Sequence, residues 1–240
     1  MVQTNVKFNQ IDRHNLTDRY CPICDSQLKQ FEPAGKSQRP NARCSICSSL
    51  ERHRLAWLFL LRQTNLFRDR VKLLHFAPES YLRDRFLQFP NIDYLTADIS
   101  FDRNPMVKVD IQDMVFGHDV FDIILCSHVL EHVPNDRKAM KELYRVLKPN
   151  GQAVLMVPMQ FKSEQTLEDP TVKTRQQRLK LYGQADHVRH YGVDIKERLE
   201  EAGFKVNLEK CDAAYNAAER AKYGLQAKHY IYQCIKPSSE

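Results

Sequence analysis

The sequence predicts an α/β fold. A mostly parallel sheet is flanked by helices and preceded by a small N-terminal module built on four cysteines. Three observations carry this. From residue 71 onward, short apolar runs alternate with stretches of helical spacing. Two C-x2-C pairs, Cys21 with Cys24 and Cys44 with Cys47, stand ahead of that region. The second and third expected strands each end in aspartate, Asp98 and Asp110. The expected division is a zinc-binding module over 1–50, a linking helix over 51–68 and a main domain over 69–240, with a lid segment at 160–189.

The four cysteines read as a metal site. Two residues between a pair let both thiolates of a knuckle turn toward one ion, and two knuckles close a tetrahedral four-thiolate site of the structural zinc type. The module is therefore expected to be a zinc ribbon or knuckle holding one zinc on Cys21, Cys24, Cys44 and Cys47. Iron is the other ion such a donor set takes. The 19-residue spacer, with Pro33, Gly35 and Pro40 as breakers, is long enough for a short hairpin. Ser48 followed by Glu51 reads as a capping box opening a helix, with Leu55, Trp57, Leu58, Leu60 and Leu61 as its apolar face. Arg52, His53 and Arg54 in its first turn oppose the helix dipole. They read as a solvated face, or as groups reaching across to a site.

In the main domain, 71–76 is a first strand, and Pro78 suits the first position of a helix. A second strand runs over 92–97 to Asp98, a third over 107–109 to Asp110, and a fourth over 121–126. The link between strands two and three is short and holds Pro105, so a loop is expected there. Residues 136–148 form a helix with Ala139, Met140, Leu143, Val146 and Leu147 inward, stopped by Pro149-Asn150-Gly151. A fifth strand follows at 153–157. Residues 160–183 are polar and too long for a plain connection, so they are expected to cover a site. A helix over 193–202, stopped by Gly203, and strands at 204–208 and 229–235 complete the domain.

Composition narrows the function classes. Of 240 residues, 42% are hydrophobic and 28% charged, an ordinary globular balance. The longest apolar run, 55–61, is far short of the ~20 residues that span a bilayer, and no membrane role is expected. Residues 1–10 are polar and lack an apolar signal core, which predicts a cytoplasmic, reducing setting. The net charge of +6 is scattered along the chain and permits an anionic partner without requiring one. The seven glycines include none between Gly35 and Gly117, which excludes G-x-G-x-x-G and P-loop nucleotide sites.

Ligands of open α/β sheets bind outside the carboxyl ends of the strands. There Asp98 is placed to accept two hydrogen bonds from a ribose diol, and Asp110 to meet the exocyclic amine of a base. With these residues stands the run Phe121-Asp-Ile-Ile-Leu-Cys-Ser-His-Val-Leu-Glu-His-Val133, and later Arg145-Val-Leu-Lys-Pro-Asn-Gly151. The stretch over 71–235 resembles class I S-adenosylmethionine (SAM)-dependent methyltransferases of the type 11 group. The likeness is greatest to a subgroup that carries a four-cysteine module, Ser-Leu-Glu-Arg-His-Arg (49–54), His-Phe-Ala-Pro-Glu (75–79) in place of the glycine-rich loop, and Asp-His-Val-Arg (186–189).

The resemblance implies a Rossmann-like methyltransferase sheet, mostly parallel with its last strand antiparallel. It implies SAM held by His75, Phe76, Ala77, Pro78, Glu79, Asp98, Ile99, Asp110, Ile111 and Ser127. His75, Ala77 and Glu79 fall where Asp, Gly and Gly are usual. SAM has no pyrophosphate, so dense backbone amides matter less, and His75 or Glu79 could bind its amino group. His187 and His128 are the candidate general bases, and Asp186 and Arg189 the candidate acceptor-binding residues. Arg189 would grip an anionic group by a bidentate contact. His128 and His132 are four apart, but His132 reads as structural rather than as half of a metal pair.

The reading that follows is methyl transfer to a small-molecule or glycan-type acceptor, with the zinc module structural or substrate-gating. An RNA methyltransferase using the module for nucleic-acid binding is the second reading. The knuckles have few basic or aromatic residues, and no Asn/Asp-Pro-Pro-aromatic motif is present. A non-catalytic zinc-binding scaffold is the third.

Overall fold

The computed structural model describes residues 19–35, 37–159 and 162–238. The polar start over 1–10, the first part of the module to residue 18, and Gln160 and Phe161 of the lid segment lie outside the described residues.

Two hairpins open the chain. β1 (Arg19–Cys21) pairs antiparallel with β2 (Ser26–Leu28), and β3 (Glu32–Ala34) pairs antiparallel with β4 (Arg39–Arg43). Each hairpin brings one cysteine pair to its end. α1 (Glu51–Gln63) follows. Its start differs from the expected capping box. Ser48 lies outside the helix with φ of 63°, and Leu50 is the N-cap, its backbone N–H donating to His53 Nδ1 at 3.0 Å. Glu51 is instead the first helical residue, fully buried, where it meets Arg39 at 3.1 Å and Gln226 at 2.9 Å.

The basic first turn is not a solvated face either. Arg54 is completely buried, and its guanidinium donates to the carbonyls of Ala42, Ser49, Tyr223 and Gly224. It also lies 3.9 Å from the centre of the Phe31 ring. Its fork thus ties the second hairpin to a turn about 170 residues later. Gly224 has φ of +59°, and a Cβ there would stand 2.4 Å from Phe31 and 2.8 Å from Arg54, so only glycine fits.

The main sheet holds β5 (Val71–Phe76), β6 (Ile92–Asp98), β7 (Val107–Lys108), β8 (Phe121–Ser127), β9 (Leu147–Met156), β10 (Lys205–Lys210) and β11 (Tyr230–Ile235). Their order is β10-β11-β9-β8-β5-β6-β7. β7, β6, β5, β8 and β9 are parallel, and β11 runs antiparallel between β9 and β10. The expected mostly parallel sheet with its antiparallel last strand is therefore present. The chain reverses its direction of travel across the sheet between β5 and β8, which opens a crevice at their carboxyl ends.

The helices are α2 (Ser80–Phe86), α3 (Asp136–Val146), α4 (Arg175–Tyr182), α5 (Ile195–Glu201), α6 (Cys211–Ala214) and α7 (Ala217–Tyr223), with a 3-10 turn at Leu130–His132. Pro78 does not begin α2; Glu79 is its N-cap, so the helix starts two residues later than expected. α3 ends at Val146, before Pro149-Asn150-Gly151, and those residues lie within β9. Asn150 there takes φ of 63°, and the pairing of β8 with β9 breaks register opposite. The link over 99–106 holds no helix, as its length and Pro105 required.

Alternation along the strands divides the core. Leu74, Phe76, Ile124, Cys126, Ala153 and Leu155 face α3 and α5. Leu73, Ile123, Leu125, Val154 and Met156 face the layer of α1 and α2. Cys21, Ile23, Phe31 and Cys44 belong to that second layer. The hairpins and the sheet thus share one core.

Candidate functional site

The four module cysteines converge without disulfides. Cys21 Sγ lies 3.6 Å from Cys47 Sγ, and Cys24 Sγ 3.8 Å from Cys44 Sγ, with all four sulfurs within 4.8 Å of one another. A tetrahedral zinc with Zn–S bonds of ~2.3 Å places its sulfurs about 3.8 Å apart. The donor set and its spacing therefore fit one such ion. Hydrogen bonding from Cys47, and then from Ser49, pulls the Cys21 thiol down, toward the thiolate form that binds metal.

At the crevice, β5 leads into Ala77, which adopts φ of 50°; its N–H donates to Ala97 at 2.9 Å. Asp98 ends β6. One carboxylate oxygen accepts from the Ser100 N–H at 3.1 Å, and the other stands 3.9 Å from Arg103. Asp110 accepts from the Gln112 backbone at 2.8 Å and from the Gln112 side-chain amide at 3.1 and 3.2 Å. Sequence reading does not pick out this amide. At the end of β8, the buried Ser127 hydroxyl has no hydrogen-bond partner. Two carboxylates, a free hydroxyl and a left-handed backbone turn at one strand edge form a donor and acceptor set that fits SAM. Ile99 is exposed beside them, leaving the β6–β7 side open.

Other expected cofactor contacts are corrected. His75 has the parity of Leu73, so its side chain points into the α1/α2 layer and is fully buried. Its Nδ1 meets the Tyr94 hydroxyl at 2.8 Å, so it cannot reach a ligand's amino group. Glu79 is held by two imidazoles, at 3.1 Å from His53 and 3.4 Å from His75. Burial would raise its carboxyl, but His53 and then His75 hold it well below the usual range. His53 is thus a buried link from the cysteine module to the loop after β5. Phe76 and Ile111 lie in the core, so their contact with a ligand would be through the backbone.

Past β8, the chain turns sharply at His128, whose φ is 56°. Its Nδ1 lies 3.1 Å from Glu131 Oε1. Glu131 is buried, and its other oxygen, Oε2, has no partner. His187 comes to the same place. It is buried, packs edge-on against His132 with ring centres 4.7 Å apart, and leaves Nδ1 unpartnered. Burial lowers its pKa, favouring the neutral ring. It reaches Glu131 and His132 without any lid closure. Asp186, a candidate acceptor-binding residue, faces His132 at 3.5 Å. Arg189 is buried and already donates to Glu168, Leu130, Val133 and Pro134. The bidentate grip on an acceptor expected of it is therefore not available.

The lid segment is anchored at several points. Bridges join Met159 to Tyr191 and Leu167 to His190. Glu168 meets Arg198 at 2.9 Å. α4 is capped by Thr174, which accepts from the Gln177 N–H at 3.1 Å. Among the described residues, no helix is long and apolar enough to cross a membrane.

A family model described as a methyltransferase domain matches residues 73–209. Among curated proteins, the chain is similar to sterol 4-C-methyltransferase strm-1 of Caenorhabditis elegans, 41% identical over 54 residues. That match covers 22% of this chain and 16% of the relative. It is also similar to the ubiquinone/menaquinone biosynthesis C-methyltransferase UbiE of Methylococcus capsulatus, 30% identical over 93 residues, covering 39% of this chain and 37% of the relative. The chain thus matches only a fraction of these relatives' length. Among solved structures, it resembles YcgJ of Bacillus subtilis with a TM-score of 0.54 at 16% identity, covering 78% of this chain and 99% of that one. The 4+2 cyclase SpnF gives a TM-score of 0.54 at 16% identity, covering 78% and 82%. At such identities the likeness is one of fold.

Proposed function

Since the chain belongs to the methyltransferase-domain family, we propose that it transfers a methyl group from SAM to a small-molecule or sugar-containing acceptor, with the four-cysteine module as a structural zinc site. The observation that carries this reading is Asp98 at the end of β6 with Asp110 two residues past the adjacent parallel strand β7, on the carboxyl side of the sheet. SAM supplies a methyl group already activated on a sulfonium, so the chain's own work is binding, alignment and exclusion of water.

Asp98 would accept from the ribose diol. Asp110 would accept from the base amine once the Gln112 amide gives way. Ser127 offers a hydroxyl, and the turn at Ala77 lets the backbone come close. The acceptor then lies toward His128, which stands one residue past β8 with a ring nitrogen held by Glu131. For a hydroxyl acceptor, His128 is the group proposed to take the proton.

Calorimetric titration of the full chain with S-adenosylhomocysteine tests the reading. Binding that weakens in Asp98→Ala supports it. A specific observation favours the scaffold alternative: His75 and Glu79, at positions where Asp and Gly are usual, are drawn into an internal cluster and not toward the crevice. Well-folded protein that gives no heat with either SAM or its demethylated product would turn the reading to that scaffold.

A further inference from the structure

Glu131, His132 and His187 each offer one ligand atom, and these atoms lie within 4.8 Å of one another. Two features separate this group from an ordinary polar cluster. Glu131 Oε2 and His187 Nδ1 are both buried and both lack a hydrogen-bond partner. Buried polar atoms are nearly always paired, so two orphans on neighbouring residues of one cluster point to a missing partner. With the His187 proton on Nε2, its Nδ1 is an acceptor like the carboxylate oxygen, and a cation satisfies both at once.

The cluster is also held in place from outside. The Val188 N–H donates to the Glu131 carbonyl at 2.9 Å, fixing the segment of His187 against the 3-10 turn. Arg189 donates to the carbonyls of Leu130 and Val133 on either side of Glu131 and His132. His128 Nδ1 engages Glu131 Oε1, leaving Oε2 for another ligand. His132 Nδ1 lies 3.2 Å from the Asp186 carbonyl and 3.5 Å from its carboxylate, which leaves Nε2 as its nitrogen for a metal. Such outer partners fix ring orientation and tautomer at metal sites.

We propose that Glu131, His132 and His187 form a binding site for a divalent first-row transition-metal ion at the carboxyl edge of β8, distinct from the four-thiolate site. Two imidazoles and one carboxylate suit zinc, iron, cobalt, nickel or manganese rather than calcium or magnesium. Donors bound at 2.0–2.2 Å in a tetrahedral site stand about 3.4 Å apart, so a modest inward turn of the rings completes the set. With only three protein ligands, the ion keeps coordination positions for water or for acceptor oxygens. The site itself does not depend on methyl transfer, and its test reads metal alone.

The experiment titrates the full chain, already carrying one zinc at its cysteines, with Co2+ and then Zn2+. Calorimetry and elemental analysis give the stoichiometry. The expected result is a second equivalent whose cobalt spectrum lacks thiolate charge-transfer bands. Glu131→Gln, His187→Gln and His132→Ala should each weaken that second equivalent at least tenfold while the first is kept. His132 is about a third exposed, so its variant is the least able to disturb the fold. A single equivalent only, a second one bound with thiolate bands, or a second one unchanged in His132→Ala would overturn the assignment. Loss of S-adenosylhomocysteine binding with the second metal retained would count against methyl transfer and leave the metal site standing.

Discussion

Ala77 and His128 leave neighbouring parallel strands through the same left-handed backbone turn, with φ of 50° and 56°. Neither is glycine, so each carries a conformational cost of roughly 1–2 kcal/mol. Such costs collect at functional edges, where the surrounding structure over-determines the backbone. Ala77→Gly should therefore fold with stability changed by no more than about 1 kcal/mol. Ala77→Val should lose a further ~1–2 kcal/mol, because a branched Cβ is poorly accommodated at positive φ. Urea unfolding of both variants is the measurement, and equal stability would show that the backbone turn is not strained.

Asp98→Ala should weaken S-adenosylhomocysteine by on the order of 1.5–3 kcal/mol, the range for a hydrogen bond to a charged group. That corresponds to roughly ten- to hundredfold in Kd. Calorimetry reads it directly. An unchanged Kd would mean that the ribose is held elsewhere.

Purified protein should carry one zinc on the four cysteines, and Cys44→Ser should lose it. Cys44 lies in the same core layer as α1 and β5, so the loss should spread beyond the hairpins. A fall in Tm on the order of 10 °C is expected, as several kcal/mol are at stake in a chain of this size. Elemental analysis and thermal unfolding together check it. Full zinc content in Cys44→Ser would sink the assignment.

Stability should fall as the pH drops from about 6.5 toward 4, in part through His229. Burial pushes its pKa down to about 4. The sign follows from proton uptake. The unfolded chain protonates this ring near its ordinary value, and the folded chain does so only near 4. The unfolded state therefore binds the extra proton in between and is favoured as acid is added. The urea midpoint should drop between pH 7 and pH 5, and by less in His229→Gln. Equal drops in the two proteins would remove His229 from the account.

Arg54→Lys should cost at least about 2 kcal/mol. A single ammonium cannot reach the four carbonyls that the guanidinium fork reaches, and each buried carbonyl left alone is expensive. Urea unfolding gives the number, and a change under 0.5 kcal/mol, the usual size for a surface substitution, would show the tether to be incidental.

Much of the fold was legible because strands and helices in this chain announce themselves by period. The run 121–126 is apolar apart from Asp122 and forms β8; Asp98 and Asp110 stand out because each follows a short strand-like run. The four cysteines were legible from spacing alone. What was not legible depends on which side of a strand a residue takes. His75 looked like a ligand contact, yet its parity with Leu73 turns it inward. The start of α1 was misplaced because a histidine, His53, performs the reciprocal contact that Glu51 was expected to make. Glu131 and His187 are 56 residues apart, and no local pattern signals that the 3-10 turn and the end of the lid segment meet. The meeting shows in space, in the Val188 to Glu131 backbone bond, the bonds of Arg189 to Leu130 and Val133, and the packing of His187 on His132.

The Arg54 tether also sets an order of events during synthesis. Its acceptors include Tyr223 and Gly224, which leave the ribosome about 170 residues after it does. At ~5–20 residues per second, that is a wait of roughly 8–34 s. The zinc proposed for the cysteine hairpins would be captured early in this interval. The guanidinium they surround cannot complete its bonds until α7 arrives. A nascent chain therefore passes through a long stage in which a charged group destined for the interior is still hydrated, and the last quarter of the chain closes a structure that the first quarter began.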